Sequence, residues 1–461
     1  MRRPSLDALL LFLLLVARAR IDTLAQWAAI PTDMLQGDVA RLVGDWWLPS
    51  GLALLAERQT SDPVTLLLIS LAFGLFVVYL LVDGCEEWLP ATTAFAIKMG
   101  LVVAIVAVLV FGQTVLFIGL RHIAGPASYT HDGGVIQTEV TIEYLLAGVN
   151  PYVADYVNTP MADWGTEYRT ALYHYPYLPW TFIFSAPFYL LSRAALGWYD
   201  QRFVYLALFA LTLVVAHRLA REPRARLGVV MLVGLNPILA SDVIFGQNDS
   251  FVLFWIVLAL WLLRLAENGR RPGLYALATA AFGLACASKP TAWFLAPFWL
   301  LYLMRDEWRA TGHGINRWIG LLVRRAWPLA VVMIVVVGPW LVWDATAMLD
   351  DVWRWSAGTA DRPYQIRGWG LSNFVLAFGL VPDRLAYWPF WVPEVVVAAP
   401  LLAILLWRQT RRNAMSAMLY HYAVLLLAFF YVSRFLNENY LGYLLAVFAV
   451  AYFADEGENE T

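Results

Sequence analysis

Long apolar runs alternate along this chain with short polar pieces, and no stretch alternates residue by residue as a half-buried strand would. The runs lie near 7–17, 64–82, 93–119, 174–192, 202–219, 227–246, 250–266, 273–288, 290–304, 327–348, 391–407, 417–433 and 439–453. Since a span needs about 20 mostly apolar residues, they predict an all-α, polytopic transmembrane helical bundle of about 11 to 13 helices, the first of them short. Residues 370–381 are apolar but fall short of a crossing, and the period-two signature of a membrane barrel is missing.

One polar stretch interrupts the pattern. Residues 128–180 contain His131, Asp132, Gln137, Glu139 and Glu143 together with the turn signals Gly148-Val-Asn-Pro151 and Tyr175-Pro176-Tyr177-Leu-Pro179. Such a segment cannot enter lipid, so it must lie at a membrane face, where recognition and chemistry occur. Around this external loop, taken as 120–180 and expected to carry short interfacial helices, residues 93–453 form the predicted membrane domain. Residues 1–92 read as an N-terminal membrane extension and 454–461 as an acidic tail. The opening MRRPSLDALLLFLLLVARAR imitates a signal peptide, but Arg18, Arg20 and Asp22 stand where a cleavage site needs small residues. The first run is therefore expected to be retained as a span or anchor.

Basic residues orient the spans. Clusters at Arg218/Arg221/Arg224/Arg226, Arg264/Arg270/Arg271, Arg305/Arg309/Arg317/Arg324/Arg325 and Arg408/Arg411/Arg412 should face the cytoplasm. The polar pieces 246–249, 288–290, 349–390 and 433–440 then share the external side with the loop. An odd number of crossings must separate that loop from Arg218, whereas 174–192 and 202–219 make two. One of them should lie along the interface, and Pro176, Pro179 and Pro187 mark 174–192.

Composition narrows the class. A chain that is 61% hydrophobic and 14% charged, with mean hydropathy +0.62, belongs among multi-pass membrane proteins rather than secreted or cytosolic enzymes. The net charge of −2 makes no electrostatic case for nucleic acid as a partner. Cys85 and Cys286, the only cysteines, give neither a disulfide framework nor zinc spacing.

Asp132 leads the candidates for chemistry. It precedes two glycines that let backbone approach a ligand closely, and a carboxylate beside apolar walls gains proton affinity and suits a general base. The plainer alternative is a cap on the following helix. Glu139 and Glu143 lie four apart on one helical face, with Gln137 and Glu139 directed toward whatever Asp132 faces, so Glu139 competes as base. His131, Asp132 and Glu139 would also accommodate a divalent cation, although neither zinc nor calcium-loop spacing is present. In Gly246-Gln247-Asn248-Asp249-Ser250, Asp249 and Ser250 can cap a helix, while Gln247 and Asn248 add polar groups at membrane depth that need a partner or ligand. The chain has two lysines. Lys289, at the end of an apolar run, fits a point charge for phosphate, and Lys98 is expected to snorkel to the headgroups. Arg434 suits either bidentate phosphate binding or snorkelling, and His174 could touch a leaving phosphate or sit as a hydrogen-bonded interfacial histidine. Trp369 reads either as a sugar-stacking platform or as an interfacial anchor.

In their order along the chain, these pieces resemble the GT-C superfamily of integral-membrane glycosyltransferases, most closely the bacterial polyprenol-phosphate mannosyltransferases of family 87. Asp132 in the first large loop carries the resemblance, with Leu146-Ala-Gly148-Val-Asn150-Pro151-Tyr152, Tyr175-Pro176-Tyr177-Leu-Pro179, Pro237 leading into Gly246-Gln247-Asn248-Asp249, Ser288-Lys289-Pro290-Thr291 and Arg434-Phe435 before Tyr440. It covers roughly residues 93–453. It implies a helical bundle whose external cavity receives a mannose-like hexose on polyprenyl phosphate and passes it, with inversion, to a lipid-linked or cell-envelope glycan acceptor. The loop carboxylate, here Asp132, would deprotonate the acceptor. Tyr177 stands where the family often has a second proline, and Glu139 close to Asp132 departs from a single isolated acid.

The expected site is thus Asp132 and Glu139 for catalysis, Lys289, Arg434 and His174 for the donor phosphate, and His131, Gln137, Tyr152, Tyr175, Gln247, Asn248, Asp249 and Trp369 for the substrates. A lysine or arginine can stabilise a monophosphate leaving group, so no cofactor is required, with a divalent cation as the open alternative. The partners are the polyprenyl-phosphate sugar, the acceptor and membrane lipids, at the external face of a cell membrane. The competing class is a transporter or lipid-sugar flippase, which would also place Asp132, Glu139 and Lys289 at membrane depth. It should show related halves with paired broken helices, and no internal repeat is visible.

Overall fold

The structure, a computed structural model, describes residues 5–29, 63–164, 169–269, 271–305 and 315–454. The acidic tail beyond Ala454, Arg270, Arg309 and the side chain of Arg317 lie outside the described residues. Within them the regular structure is helical, apart from one parallel pairing of Arg367–Gly368 with Phe435–Leu436.

Seven helices among the described residues are long and apolar enough to cross a membrane: Val64–Gly84, Ala91–Ala124, Arg202–Leu219, Asp249–Gly269, Ile319–Val336, Trp391–Arg411 and Met415–Val432. Pro223–Gly234 and Leu239–Phe245 make an eighth if taken as one span bent by 49°, and Gly273–Cys286, Pro290–Leu303 and Glu438–Phe453 are shorter apolar helices. The polytopic all-α bundle follows the hydropathy pattern, with fewer full-length crossings than apolar runs. The reason is local. At the bend, Pro237 has no amide to donate, and Asn236 Oδ1 restarts the helix by accepting from the amides of Ile238 and Leu239 at 3.1 and 3.0 Å.

One continuous core runs from the helix Leu6–Ala29 to the helix Glu438–Phe453. Arg18 ties the first of these into the bundle, donating to Gln113 Oε1 at 2.9 Å and to the Ser241 hydroxyl. Lys98 does not snorkel. It is buried beside Asp83 at 2.6 Å, Asp7 at 3.2 Å and Glu86 at 3.4 Å, because three carboxylates at one point hold an ammonium better than headgroups do.

Contacts sort the helix ends into two groups. Arg264 donates to Leu219 O and, at 2.7 Å, to Ala454 O, while Arg305 pairs with Glu267 at 3.2 Å, so these basic clusters share one end. The loop residues 125–164 and 169–179 gather at the other end with 244–249 and 287–289. There Arg202 Nη1 donates to Tyr129 O and Ile244 O at 2.8 and 3.1 Å, the His131 amide to Phe245 O at 2.8 Å, and the Leu178 amide to Ser288 O at 3.1 Å.

The helix Trp180–Leu196 begins later than the apolar run at 174, since Pro176 and Pro179 keep the preceding chain out of a helix. The Trp180 amide bonds to Ala287 O at 3.0 Å, and the chain beyond Leu196 delivers Asp200 to Arg121 at 2.8 Å. Both attachments lie at the loop end. This helix therefore runs along that end, and Arg202–Leu219 is left as the crossing that reaches Arg218.

Candidate active site

Backbone contact seats Asp132. A Cβ on Gly134 would lie 1.9 Å from Gly246 O, and Gly246 itself, at φ +87°, closes the helix Leu239–Phe245, so two glycines let the loop lie directly on the 246–249 turn. A Cβ on Gly133 would come within 2.7 Å of the Tyr177 hydroxyl. Asp132 opens the π-helical turn Asp132–Gln137 between these two supports, and the cap position of that turn belongs to His131.

His131 Nδ1 lies 2.6 Å from Asp132 Oδ1, and both side chains are partly exposed. Burial acts to raise the Asp132 carboxyl, but the charge and hydrogen bond of His131, with nearby backbone amides, hold it below the usual carboxylate range. The raised proton affinity expected from apolar walls is reversed by this neighbour. Asp132 is thus an ionised, partly exposed carboxylate.

Glu139 stands differently. Arg121 grips it in bidentate fashion at 2.9 and 2.7 Å, and the Gln201 amide donates to it at 2.8 Å. Arg121 also meets Asp200, which Arg202 holds at 2.7 Å, so two acids and two guanidiniums cancel in the bundle. Glu143 accepts from Tyr189 at 2.9 Å. Gln137 donates to Ala171 O and His174 O, both at 2.8 Å, and so fastens the far limb of the loop rather than pointing at Asp132.

Lys289 is buried in a cage. Its ammonium meets Asp249 Oδ1 at 2.6 Å and Asn248 Oδ1 at 3.3 Å, with the ring centres of Tyr440 and Tyr177 at 5.1 and 5.8 Å. The other oxygen of Asp249 accepts from Asn439. Tyr177 connects this cage to Asp132. Its phenol is pushed well above its ordinary value first by burial and then by Asp132, Tyr205, Asp249 and Tyr440, so it stays protonated in the field of both acids. Tyr364, bonded to Asn437 at 3.0 Å, also lies in the field of Asp132 and of Arg367.

The remaining expected residues divide. Gln247 lies at the junction, its Cα 2.9 Å from where a Gly134 Cβ would stand. Tyr152 donates to Tyr177 O at 2.9 Å and packs edge-on to Tyr175, so both support the Tyr177 segment. Trp369 is 61% exposed on the second polar segment, its amide bonded to Leu436 O at 3.0 Å. Arg434 is buried, and its guanidinium donates to Tyr364 O at 2.6 Å, Ala386 O at 3.0 Å and Leu385 O at 3.2 Å. Those carbonyls occupy the fork that phosphate would need. His174 has both ring nitrogens engaged, Nδ1 with Asp351 Oδ1 and Nε2 with Asp361 O, each at 2.8 Å.

His174, Asp350 and Asp351 bring metal-type donor atoms within 4.8 Å of one another, a grouping that His131, Asp132 and Glu139 do not make among the described residues. Tyr177 sits inside a motif quoted above, yet its place between the two charges appears only in the fold, as do those of Tyr440 and Asn439. Asp351 carries no linear signal beyond being one acid in a polar segment.

No protein-family model and no curated protein matches the chain. Among solved structures it is similar to ArnT from Cupriavidus metallidurans bound to undecaprenyl phosphate, at 18% identity and a TM-score of 0.43. It is also similar to the same protein in the apo state, at 18% identity and a TM-score of 0.42. Each match covers 74% of this chain and 59% of the other, so the chain spans well under two thirds of that protein's length.

Proposed function

We propose that this chain is a membrane glycosyltransferase of the GT-C type that moves a hexose, mannose-like, from polyprenyl phosphate to a hydroxyl of a lipid-linked or envelope glycan at the external membrane face. The observation that carries this reading is that Tyr177 lies close to both charged groups: its ring centre is 5.8 Å from the caged Lys289 ammonium, and its hydroxyl, in the field of the Asp132 carboxylate, is 2.7 Å from where a Cβ on the adjoining Gly133 would stand. Basic clusters at the opposite helix ends support an external site.

Asp132, ionised, accepts the proton of the acceptor hydroxyl as that oxygen attacks the anomeric carbon from the face away from phosphate. The bond from that carbon to the phosphate oxygen breaks, its electron pair leaves with polyprenyl phosphate, and the configuration inverts. Lys289, held by Asp249 and Asn248, meets the charge that develops on the phosphate. A lysine in this place makes a divalent cation unnecessary, so chelation by EDTA should leave the rate unchanged.

The test is transfer from polyprenyl-phosphate mannose by the purified full chain in lipid, with the product anomer read by NMR. Inverted product, lost in Asp132→Asn, is expected. The bent pair Pro223–Gly234 and Leu239–Phe245 holds Asp242, buried and with no hydrogen-bond partner for Oδ2, and favours the competing flippase reading. Lipid or proton movement in liposomes without sugar transfer from any polyprenyl-phosphate donor would replace the enzyme with that alternative.

A further inference from the structure

We propose that His174 and Asp351 form a latch between the two external segments, and that this pair is the positioning element that sets Tyr177 against Asp132. The latch is a matter of contacts alone, whereas its effect on turnover rests on the transferase reading.

The imidazole faces an acceptor on each side, the Asp351 carboxylate at Nδ1 and the Asp361 carbonyl at Nε2. A carbonyl accepts only, so Nε2 carries a proton. Facing a carboxylate, Nδ1 carries one as well, and the ring is an imidazolium with no lone pair for a metal and both N–H groups already engaged, so none is free for a phosphate. The second Asp351 oxygen accepts from the Tyr175 amide at 2.8 Å, and the Arg362 guanidinium lies 3.6 Å from the centre of the Tyr173 ring. Arg362 adopts φ +54°, a left-handed conformation unfavourable for a bulky side chain, at the residue after the carbonyl that His174 grips. Three consecutive residues, Tyr173 to Tyr175, are therefore fastened to 351–362.

What is fastened matters. Two residues beyond Tyr175 stands Tyr177, and the next amide, Leu178, is held by Ser288 O at 3.1 Å, beside Lys289. The short segment that carries Tyr177 is thus pinned at one end by the latch and at the other by the lysine turn. On the opposite side the latched segment continues to Tyr364, whose amide bonds to Trp355 O at 3.0 Å and whose phenol lies in the field of Asp132. Both tyrosines of the site depend on one histidine and one aspartate.

The latch should respond to pH. Burial works against the charge on His174, but Asp351 and the Asp361 carbonyl outweigh it and keep the imidazole above its ordinary value, while burial pushes Asp351 up to about 6. The other charged groups near the pair are Asp350 on the same turn, with Arg354 3.6 Å from it, and Arg362 across the Tyr173 ring. Tyr152 and Tyr156 are buried phenols in the field of Asp351. Both latch groups hold their protons more tightly closed than open. Closure is therefore favoured at low pH, weakens from about 4 to about 6 as Asp351 ionises, and is lost as pH rises through the raised His174 value.

Hydrogen exchange on the full chain in lipid discs, with no sugar donor, tests the latch directly. Amides in 171–178 and 355–366 should lose protection together as pH rises from 6 to 9, by about tenfold per unit from the ordinary histidine value of about 6.5 up to the raised His174 value and no further above it, once intrinsic rates are removed. In His174→Gln and in Asp351→Ala, which removes both acceptor oxygens, the two segments should exchange fast at every pH, and the double variant should be no worse than either single one. Independent loss in the two segments, or protection in wild type that does not change with pH, overturns the latch. For the positioning role, His174→Gln should lower kcat about a hundredfold with donor KM nearly unchanged, since Lys289 is untouched. Unchanged kcat with uncoupled loops overturns that role alone. Absence of any sugar transfer by wild type would fail the transferase reading and leave the exchange result standing.

Discussion

Lys289 Nζ lies 2.6 Å from Asp249 Oδ1, so the cation best placed for a phosphate is already half neutralised by its own neighbour. On the proposed transferase reading, a donor phosphate would share the ammonium with Asp249 rather than meet a bare charge. Lys289→Gln should therefore raise donor KM and slow transfer by about one to two decades, the cost of one charge-assisted contact of about 1.5–3 kcal/mol. Asp249→Asn should tighten donor binding and destabilise the fold, because the lysine stays buried without its partner. Steady-state kinetics over donor concentration measure both, and equal donor KM in wild type and Lys289→Gln would remove lysine from the phosphate.

Asp132→Asn keeps the shape of the loop while removing the proton acceptor. Transfer should fall by about 10²–10⁴-fold at unchanged melting temperature, as expected for loss of a general base. The pH profile carries a second expectation. A depressed carboxyl is a competent base above its pKa and is lost as pH falls through it, so the acid limb in wild type should lie below the ordinary aspartate range. Removing the neighbouring charge in His131→Ala should shift that limb to higher pH, and a limb that stays in place would disconnect Asp132 from the rate.

Glu139→Gln separates structure from chemistry. Its carboxylate is gripped by Arg121 and the Gln201 amide, and breaking a buried pair by neutralising one partner costs about 3–5 kcal/mol. Thermal unfolding should shift down strongly while the folded fraction keeps nearly wild-type kcat. Loss of kcat at unaltered stability would move the base from Asp132 to Glu139.

Lys98→Ala should be among the most damaging single changes in the N-terminal part of the chain. It leaves Asp7, Asp83 and Glu86 converging with no cation from the described residues among them, again a loss of about 3–5 kcal/mol. A fluorescence-detected melting curve reads this directly, and an unshifted curve would mean that the lysine reaches the headgroups after all.

Sidedness is checked by cysteine labelling from outside intact cells. A cysteine beside Asn158 in the long loop should react, and one beside Arg324 should not. The reverse pattern would invert the whole arrangement and place the site in the cytoplasm.

Much of this protein is written in its hydropathy. Apolar runs of span length can be satisfied only as helices, because lipid offers no partner for a backbone amide, and that alone makes the chain an all-α membrane bundle. Likewise, a run of Asp, Glu, His and Asn between spans has to sit at a membrane face, which singles out Asp132 and the 246–249 turn. Prolines at 176, 179 and 187 single out 174–192 as the weaker crossing, and in the structure the helix begins only at Trp180, with both of its ends attached at the loop end.

What a side chain does with its charge was decided only by tertiary structure. Glu139 and Asp132 look alike in sequence, both acids of one polar loop, yet one is consumed by Arg121 and the other, partly exposed, meets only the neighbouring His131 among charged side chains of the described residues. Arg434 and Lys289 look equally fit for phosphate, but carbonyls from a distant segment fill the fork of the arginine. His174 meets Asp351 across 177 positions of chain. Hydropathy is a sum over neighbours in sequence and survives without the fold. A hydrogen bond or ion pair needs its partner within about 3 Å, and which distant residue arrives there is settled only when the helices pack.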